Sequence, residues 1–500
     1  MSDWNLGLAM PEWILVAAAL IALVRDARSE SASKQGVARV SRWGIVLATL
    51  YVAFQGLGLG EEGRAYAFLG HYGLDAFSVL FKLLFGITAL FIHAMADTWL
   101  RRVDRGQGEF HLLCLFATVG MFFAASVEDF ATLFVSLELV TVSFYCLTAF
   151  KRNDPRSVEA GVKYVVLGAL ASAFLLLGIA FLYGATGSLL LRDLGPATDQ
   201  GLSHPGGALL QFGLLLTIVG LGFKIAAVPF QVWTPDVYEG ASSPVTAFLS
   251  MGSKAAGIVL LLKVTRACMG PSGASGLAVA TPWLLLVAAM AAATILYGNL
   301  GAMWQGNIKR LLGYSSIGHA GYALMGLFAF SEDGITAVAY YLMAYLFTVL
   351  GVFAVVIIVN GAVRSHQVED YGGLGRRSPF LALVLTCGLL SLAGVPPLAG
   401  FFGKFLVFRA VIAKGTLVAY LLAYVGAAGV VVSLYYYLCV VKRLYMHEAA
   451  EGAETGPIPV SRGLKAVLVV CLAGVFLLGT VMAPFYGLAR SAAGALIAAP

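Results

Sequence analysis

Charge is scarce in this sequence. Asp, Glu, Lys and Arg make up 12% of its 500 residues, about half the ~25% usual in a soluble domain. Hydrophobic residues make up 60%, and the mean hydropathy is +0.88. These values exclude a soluble protein and describe a polytopic membrane chain. Paired cysteines are missing as well. Cys114, Cys146, Cys268, Cys387, Cys439 and Cys471 fall in or beside apolar runs with no CxxC among them, which argues against a disulfide framework, a zinc site or an iron–sulfur site. The net charge of +6 is small and scattered over short loops, so no nucleic acid is expected as a partner. No basic stretch precedes the first apolar run, and no small-residue cleavage site follows it; the run is expected to be a retained helix, not a signal peptide.

What the chain has instead is long apolar runs. A helix needs about 20 such residues to cross the hydrocarbon core. Runs of that kind lie near 11–25, 41–59, 74–97, 110–126, 129–150, 158–186 and 207–230, and again near 241–265, 281–301, 308–330, 334–360, 380–411, 417–441 and 464–487. The expected fold is therefore an all-α bundle of about 14 transmembrane helices. With both termini outside, the loops predicted to be cytoplasmic carry 20 basic residues, from Arg25, Arg28, Lys34, Arg39 and Arg42 to Arg462 and Lys465. The opposite side carries five, Arg64, Arg192, Arg266, Lys414 and Arg490. That bias supports the orientation and the alternation of helices together.

Seven basic residues fall inside the runs: Lys82, Lys163, Lys224, Lys254, Lys263, Lys404 and Arg409. Lys263 and Arg409 lie near helix ends and are expected to snorkel to the interface. Lys163 begins its helix, where it either snorkels or faces the bundle; Lys82 is left unassigned. Lys224, Lys254 and Lys404 have no such escape. A charge near the bilayer centre costs about 2.5–3.5 kcal/mol on insertion scales, and its default reading is an ion or proton pathway with a partner.

The lysines sit beside helix breakers. In GLGFKIAAVPFQVWTPDVYEG, Pro229 cannot bond the carbonyl of Ile225, next to Lys224. In LLSLAGVPPLAGFFGKFLVF, Pro396 and Pro397 free the carbonyls of Leu392 and Ala393 ahead of Lys404. Freed carbonyls at membrane depth require protein or water to satisfy them. Two interrupted helices, near 207–240 and 380–411 and five helices apart, are the pattern of inverted-repeat transporters. A single proline kink would be ordinary; two, each beside a buried lysine, point to function. Lys254 lies among Gly252, Ser253, Ala255, Ala256 and Gly257, which permit close packing or admit water. The fifth run holds one carboxylate, Glu138, near Ser136 and Thr141. A neighbouring lysine would pair with it and titrate jointly with it. His319 has Tyr314, Ser315 and Ser316 for polar company, and a neutral imidazole both accepts and donates a proton.

Three stretches, FKIAAVPFQVWTPDVYEGASSPVTAFLSMGSKAAG, NIKRLLGYSSIGHAGYALMG and YGGLGRRSPFLALVLTCGLLSLAGVPPLAGFFGKF, resemble the antiporter-like membrane subunits of respiratory complex I. WTPDVYEG and the lysine at 404 favour the subunit N branch over L and M, as does the absence of a long C-terminal extension like that of L. The resemblance implies N-terminal helices over 1–108, five-helix repeats over 109–267 and 279–446, and a C-terminal helix over 463–500. It implies that Glu138 pairs with Lys224, that Lys254 connects, and that Lys404 passes the proton outward; His319 and Lys163 are secondary candidates. It further implies proton translocation driven by quinone reduction elsewhere. FMN, iron–sulfur clusters and quinone would belong to the complex, with no cofactor or metal bound by this chain. Partners would be other membrane-arm subunits and the lipid of a bacterial inner membrane. The alternatives are a subunit of a Mrp-type cation/proton antiporter, which shares the fold and the Glu–Lys pair, and a spacer whose lysines pair statically.

Overall fold

The computed structural model describes residues 4–28, 34–59, 63–103, 106–200, 206–269, 277–448 and 456–498. Met10–Arg28 (α1) and Gln35–Gly58 (α2) lead into an antiparallel hairpin, Arg64–Ala67 (β1) and Tyr72–Asp75 (β2), with Arg64 opposite Asp75. Ala76–Leu100 (α3), Gln107–Ser126 (α4), Phe130–Thr148 (α5) and Pro155–Thr186 (α6) follow. Asp75, Asp129 and Asp154 start α3, α5 and α6 by accepting the N–H groups of Ser78, Thr132 and Arg156, donors that a helix's first turn otherwise leaves unpaired. After Leu194–Gln200 (α7) come Gly207–Ile225 (α8) and the short Trp233–Gly240 (α9). Ser243–Phe248 (α10) runs through a π-helical turn, Leu249–Ser253, into Lys254–Met269 (α11).

The second half opens with Leu277–Ala302 (α12), Ile308–Phe328 (α13) and Glu332–Val363 (α14), then a single turn, Leu374–Arg377 (α15). Pro379–Ala393 (α16), Ala399–Ile412 (α17), Leu417–Met446 (α18), Arg462–Thr480 (α19) and Met482–Ile497 (α20) complete it. Among the described residues, 12 helices are long and apolar enough to span a membrane. The expected count of about 14 differs in two places. The α16–α17 run is broken, and the serines, glycines, tyrosines and His319 of α13 lower that helix's hydropathy. The single expected C-terminal helix also divides, at Val481, because Pro484 has no N–H for the carbonyl of Thr480.

Both expected interruptions are present. α8 stops at Ile225, where Ala226 turns left-handed (φ 61°) and the N–H groups of Ala226 and Ala227 turn back to Phe223 and Gly222. α16 stops at Ala393, where Gly394 takes the same turn (φ 92°). Glycine adopts that conformation freely, whereas an alanine does so at about 1–2 kcal/mol. The strained break is thus the one beside Lys224. α11 and α14 run through the middle of the bundle; α6 and α18 lie toward its periphery. α13 packs against α9, α14 and α17, and so lies between the two breaks.

Candidate functional site

Lys224, Lys254 and Lys404 are 3%, 4% and 4% exposed. Lys224 occupies the last turn of α8, and its Nζ donates to Thr141 Oγ1 of α5 at 2.7 Å. Glu138 stands one turn earlier on α5 and accepts from Ser172 Oγ of α6 at 2.5 Å. Among the described residues no ion pair joins Glu138 and Lys224: the threonine takes the ammonium that the sequence reading gave to the carboxylate. Lys254 is the first residue after the π-helical turn, a wide turn frequent at functional sites. Its ammonium donates to the hydroxyl and the carbonyl of Ser316 on α13. Lys404 donates to the carbonyls of Leu392 and Ala393 at 2.8 and 2.9 Å. These are the two oxygens that the prolines free, and they form the partly negative C-terminal end of α16.

Hydroxyls and an imidazole fill the space between Lys254 and Lys404. Ser316 Oγ lies 3.2 Å from Tyr345 OH and 3.1 Å from Tyr238 OH, and Tyr345 OH lies 2.9 Å from Ser250 Oγ. Beside Ser316, Ser315 Oγ bonds Tyr437 OH, which lies 3.2 Å from His319 Nε2. The other imidazole nitrogen, Nδ1, bonds Tyr341 OH at 2.5 Å. A cavity lined by His319, Tyr341, Tyr345, Ser391 and Lys404 then offers about 10 Å³ of space for a water molecule's centre, enough for about one water. Each hydroxyl and the imidazole both accepts and donates, so two runs of exchangeable hydrogen bonds lie between the lysines: Lys254–Ser316–Tyr345–Ser250, and Ser315–Tyr437–His319–Tyr341, which ends at the cavity beside Lys404. Thr141 was noted in the sequence only as a neighbour of Glu138, and Tyr341, Tyr345 and Tyr437 were not singled out; the only signal of these tyrosines is a hydroxyl inside an apolar run. Tyr314, expected near His319, instead packs with Tyr297 and Arg310.

The remaining intramembrane charges sort differently. Lys163 is 42% exposed and bonds Glu159 and Asp236, each at 2.7 Å. It lies off the lysine row and ties α6 to α9. Arg310 holds the same Asp236 at 2.7 Å and Glu239 at 3.1 Å. Arg409 reaches the helix end as expected, half exposed beside Asp333 and Tyr486. Lys263 does not snorkel. It is buried and donates to Glu128 and to the Val127 carbonyl, both at 2.9 Å. Glu128 also accepts from Arg64 of β1 at 2.8 Å. Burial works against the Arg64 charge, but Glu128 and Asp75 outweigh it and its pKa is raised. Lys82 forms a wholly buried pair with Glu12 at 2.7 Å, with Tyr72 OH 2.5 Å from the ammonium and 3.1 Å from both carboxylate oxygens.

Residues 126–429, which carry both broken helices and the lysine row, match the NADH:quinone oxidoreductase/Mrp antiporter transmembrane family. NADH-quinone oxidoreductase subunit N of Moorella thermoacetica is 38% identical over 489 residues, covering 98% of each chain. The chain belongs to the subunit N family. Subunit N of Granulibacter bethesdensis is 40% identical over 462 residues, covering 91% of this chain and 93% of that one. A chain of respiratory complex I from Thermus thermophilus superposes with a TM-score of 0.77 at 33% identity, over 95% of this subunit N chain and 98% of its own. A chain of the Mrp complex from Dietzia sp. gives 0.84 at 21% identity, over 99% and 98%. The fold is therefore common to both assemblies, and sequence identity separates them.

Proposed function

We propose that this chain is a proton-translocating membrane subunit of a bacterial NADH–quinone oxidoreductase complex, worked by quinone reduction in other subunits. The observation that carries the reading is the row of three buried lysines, each donating only to neutral oxygens, with hydrogen-bonded runs of serine, tyrosine and His319 between two of them. A lysine so held can lose its proton and leave a neutral amine among neutral neighbours. Lys224 moving from Thr141 to Glu138 is then a switch: paired with the carboxylate it keeps its proton, and released it passes the proton toward Lys254. Lys404 is the far end of the row and His319 a connecting base. Lys163 holds α9 in place beside Lys224 through Asp236. Carrying one charge across 100 mV takes about 2.3 kcal/mol, a cost within reach of making or breaking one such pairing.

The chain supplies no redox centre in this reading; FMN, iron–sulfur clusters and quinone belong to other subunits, and its partners are the neighbouring membrane-arm subunits. The repeats are read as 109–267 and 279–446, preceded by 1–108 and followed by 463–500. Both termini are read as periplasmic, on the basic bias of the loops. In the assembled complex, Lys224→Ala or Lys404→Ala is expected to lower proton pumping per NADH oxidised. Undiminished pumping at normal NADH oxidation would overturn the relay. Co-purification with a redox arm separates this reading from a Mrp-type antiporter, in which none would follow.

A further inference from the structure

Between α1 and α2, away from the lysine row, runs a groove of about 490 Å³. Its floor is small (Ala17, Ala18 and Gly44) and its walls are apolar (Ile21, Trp43 and Leu47). It extends from Ile14 to Arg25 along α1, a rise of about 16 Å, close to one leaflet of a ~30 Å hydrocarbon core. The groove is open along its outer side and its lining is almost wholly apolar between the two arginines. Its length suits one acyl chain within a single leaflet.

Its two ends differ. Arg25 and Arg39 line the end where α1 finishes and α2 begins, and both are exposed. Among the described residues neither makes an ion pair or a hydrogen bond, whereas nearby Lys34 and Arg42 are held by Asp26 and Asp97. Gly36 lets Arg25 lie across this mouth, since a Cβ there would meet Arg25 Nε at 2.7 Å. Trp43 lies one turn beyond Arg39 and is 64% exposed, as aromatics of the interfacial belt are. Two exposed guanidinium groups above an apolar slot complement a phosphate attached to a fatty chain.

We propose that this groove binds an anionic phospholipid, its phosphate between Arg25 and Arg39 and one acyl chain along Ala17, Ile21 and Leu47. The test uses the intact complex in bilayer discs doped with phosphatidylglycerol carrying a photoreactive group on one acyl chain, or with the matching phosphatidylcholine. Cross-linked peptides are then read by mass spectrometry. Peptides of α1 and α2 are expected to label with the glycerol lipid in preference to the choline lipid by up to about thirtyfold, roughly fivefold per arginine. Arg25→Gln with Arg39→Gln removes that preference, and Ala17→Phe, which fills the slot from an exposed position, removes labelling by both lipids. Equal labelling by the two lipids in the unaltered complex would overturn the proposal. So would the absence of labelled α1 and α2 peptides with either lipid.

Discussion

Lys224, Lys254 and Lys404 are as deeply buried as Lys82 and Lys263, yet the two sets face opposite kinds of oxygen. The first set donates to Thr141, Ser316 and two freed carbonyls. The second donates to Glu12 and Glu128. A buried ion pair holds both its charges, because removing either one strands the other in a medium that solvates it poorly. A lysine among neutral dipoles has no such partner to strand, and its charge can come and go. The paired lysines pin α1, the hairpin and the end of α4 together; the unpaired row is the part of the molecule able to change its charge. Lys309 looks like an exception, since it is buried and donates to the Glu239 and Ala241 carbonyls. Those oxygens are the end of α9, as those holding Lys404 are the end of α16; what sets Lys404 apart is the cavity it shares with His319 and Tyr341.

The sharpest way to break the comparison is Lys82→Met. It leaves Glu12 buried and unpaired, and is expected to lower stability by about 3–5 kcal/mol, read as a loss of assembled complex or of thermal stability. Adding Glu12→Leu to the same chain should recover most of that loss, since an apolar pair of similar volume is often neutral. A single change as mild as the double one would erase the distinction between the sets. Lys404→Met comes next. It unmakes two hydrogen bonds to carbonyls and is expected to cost about 1–3 kcal/mol, with assembly largely kept and proton pumping lost. Tyr341→Phe removes one bond to His319, about 1 kcal/mol, and should slow pumping while NADH oxidation and assembly stay near normal. Arg409→Gln is the smallest. Its partner Asp333 is half exposed, so a change under about 1 kcal/mol and unaltered pumping are expected.

Much of this was legible in the residues. Apolar length gave the helices, because lipid offers backbone groups no partner outside a helix. Pro229, Pro396 and Pro397 marked both breaks, because a missing N–H is a local fact. The two freed carbonyls, Leu392 and Ala393, could also be named in advance, though not that Lys404 would be what satisfies them. The π-helical turn before Lys254 could not: nothing in SMGSKAAG distinguishes a wide turn from an ordinary one. Nor could the pairing of Lys82 with Glu12, 70 residues apart, or the burial of Lys263, whose place near a helix end suggested the interface.

The sequence by itself determined that the chain spans a membrane, that two helices break beside buried lysines, and which side chains are too costly to bury without a purpose. Those properties depend on composition and on contacts a few residues apart. The tertiary structure decided which oxygen each ammonium reaches. Thr141 rather than Glu138 holds Lys224, and Ser316 holds Lys254, because helices distant in sequence pack at those levels. A partner chosen across a bundle depends on the depth and rotation of two helices at once, and neither is written in the residues around the lysine.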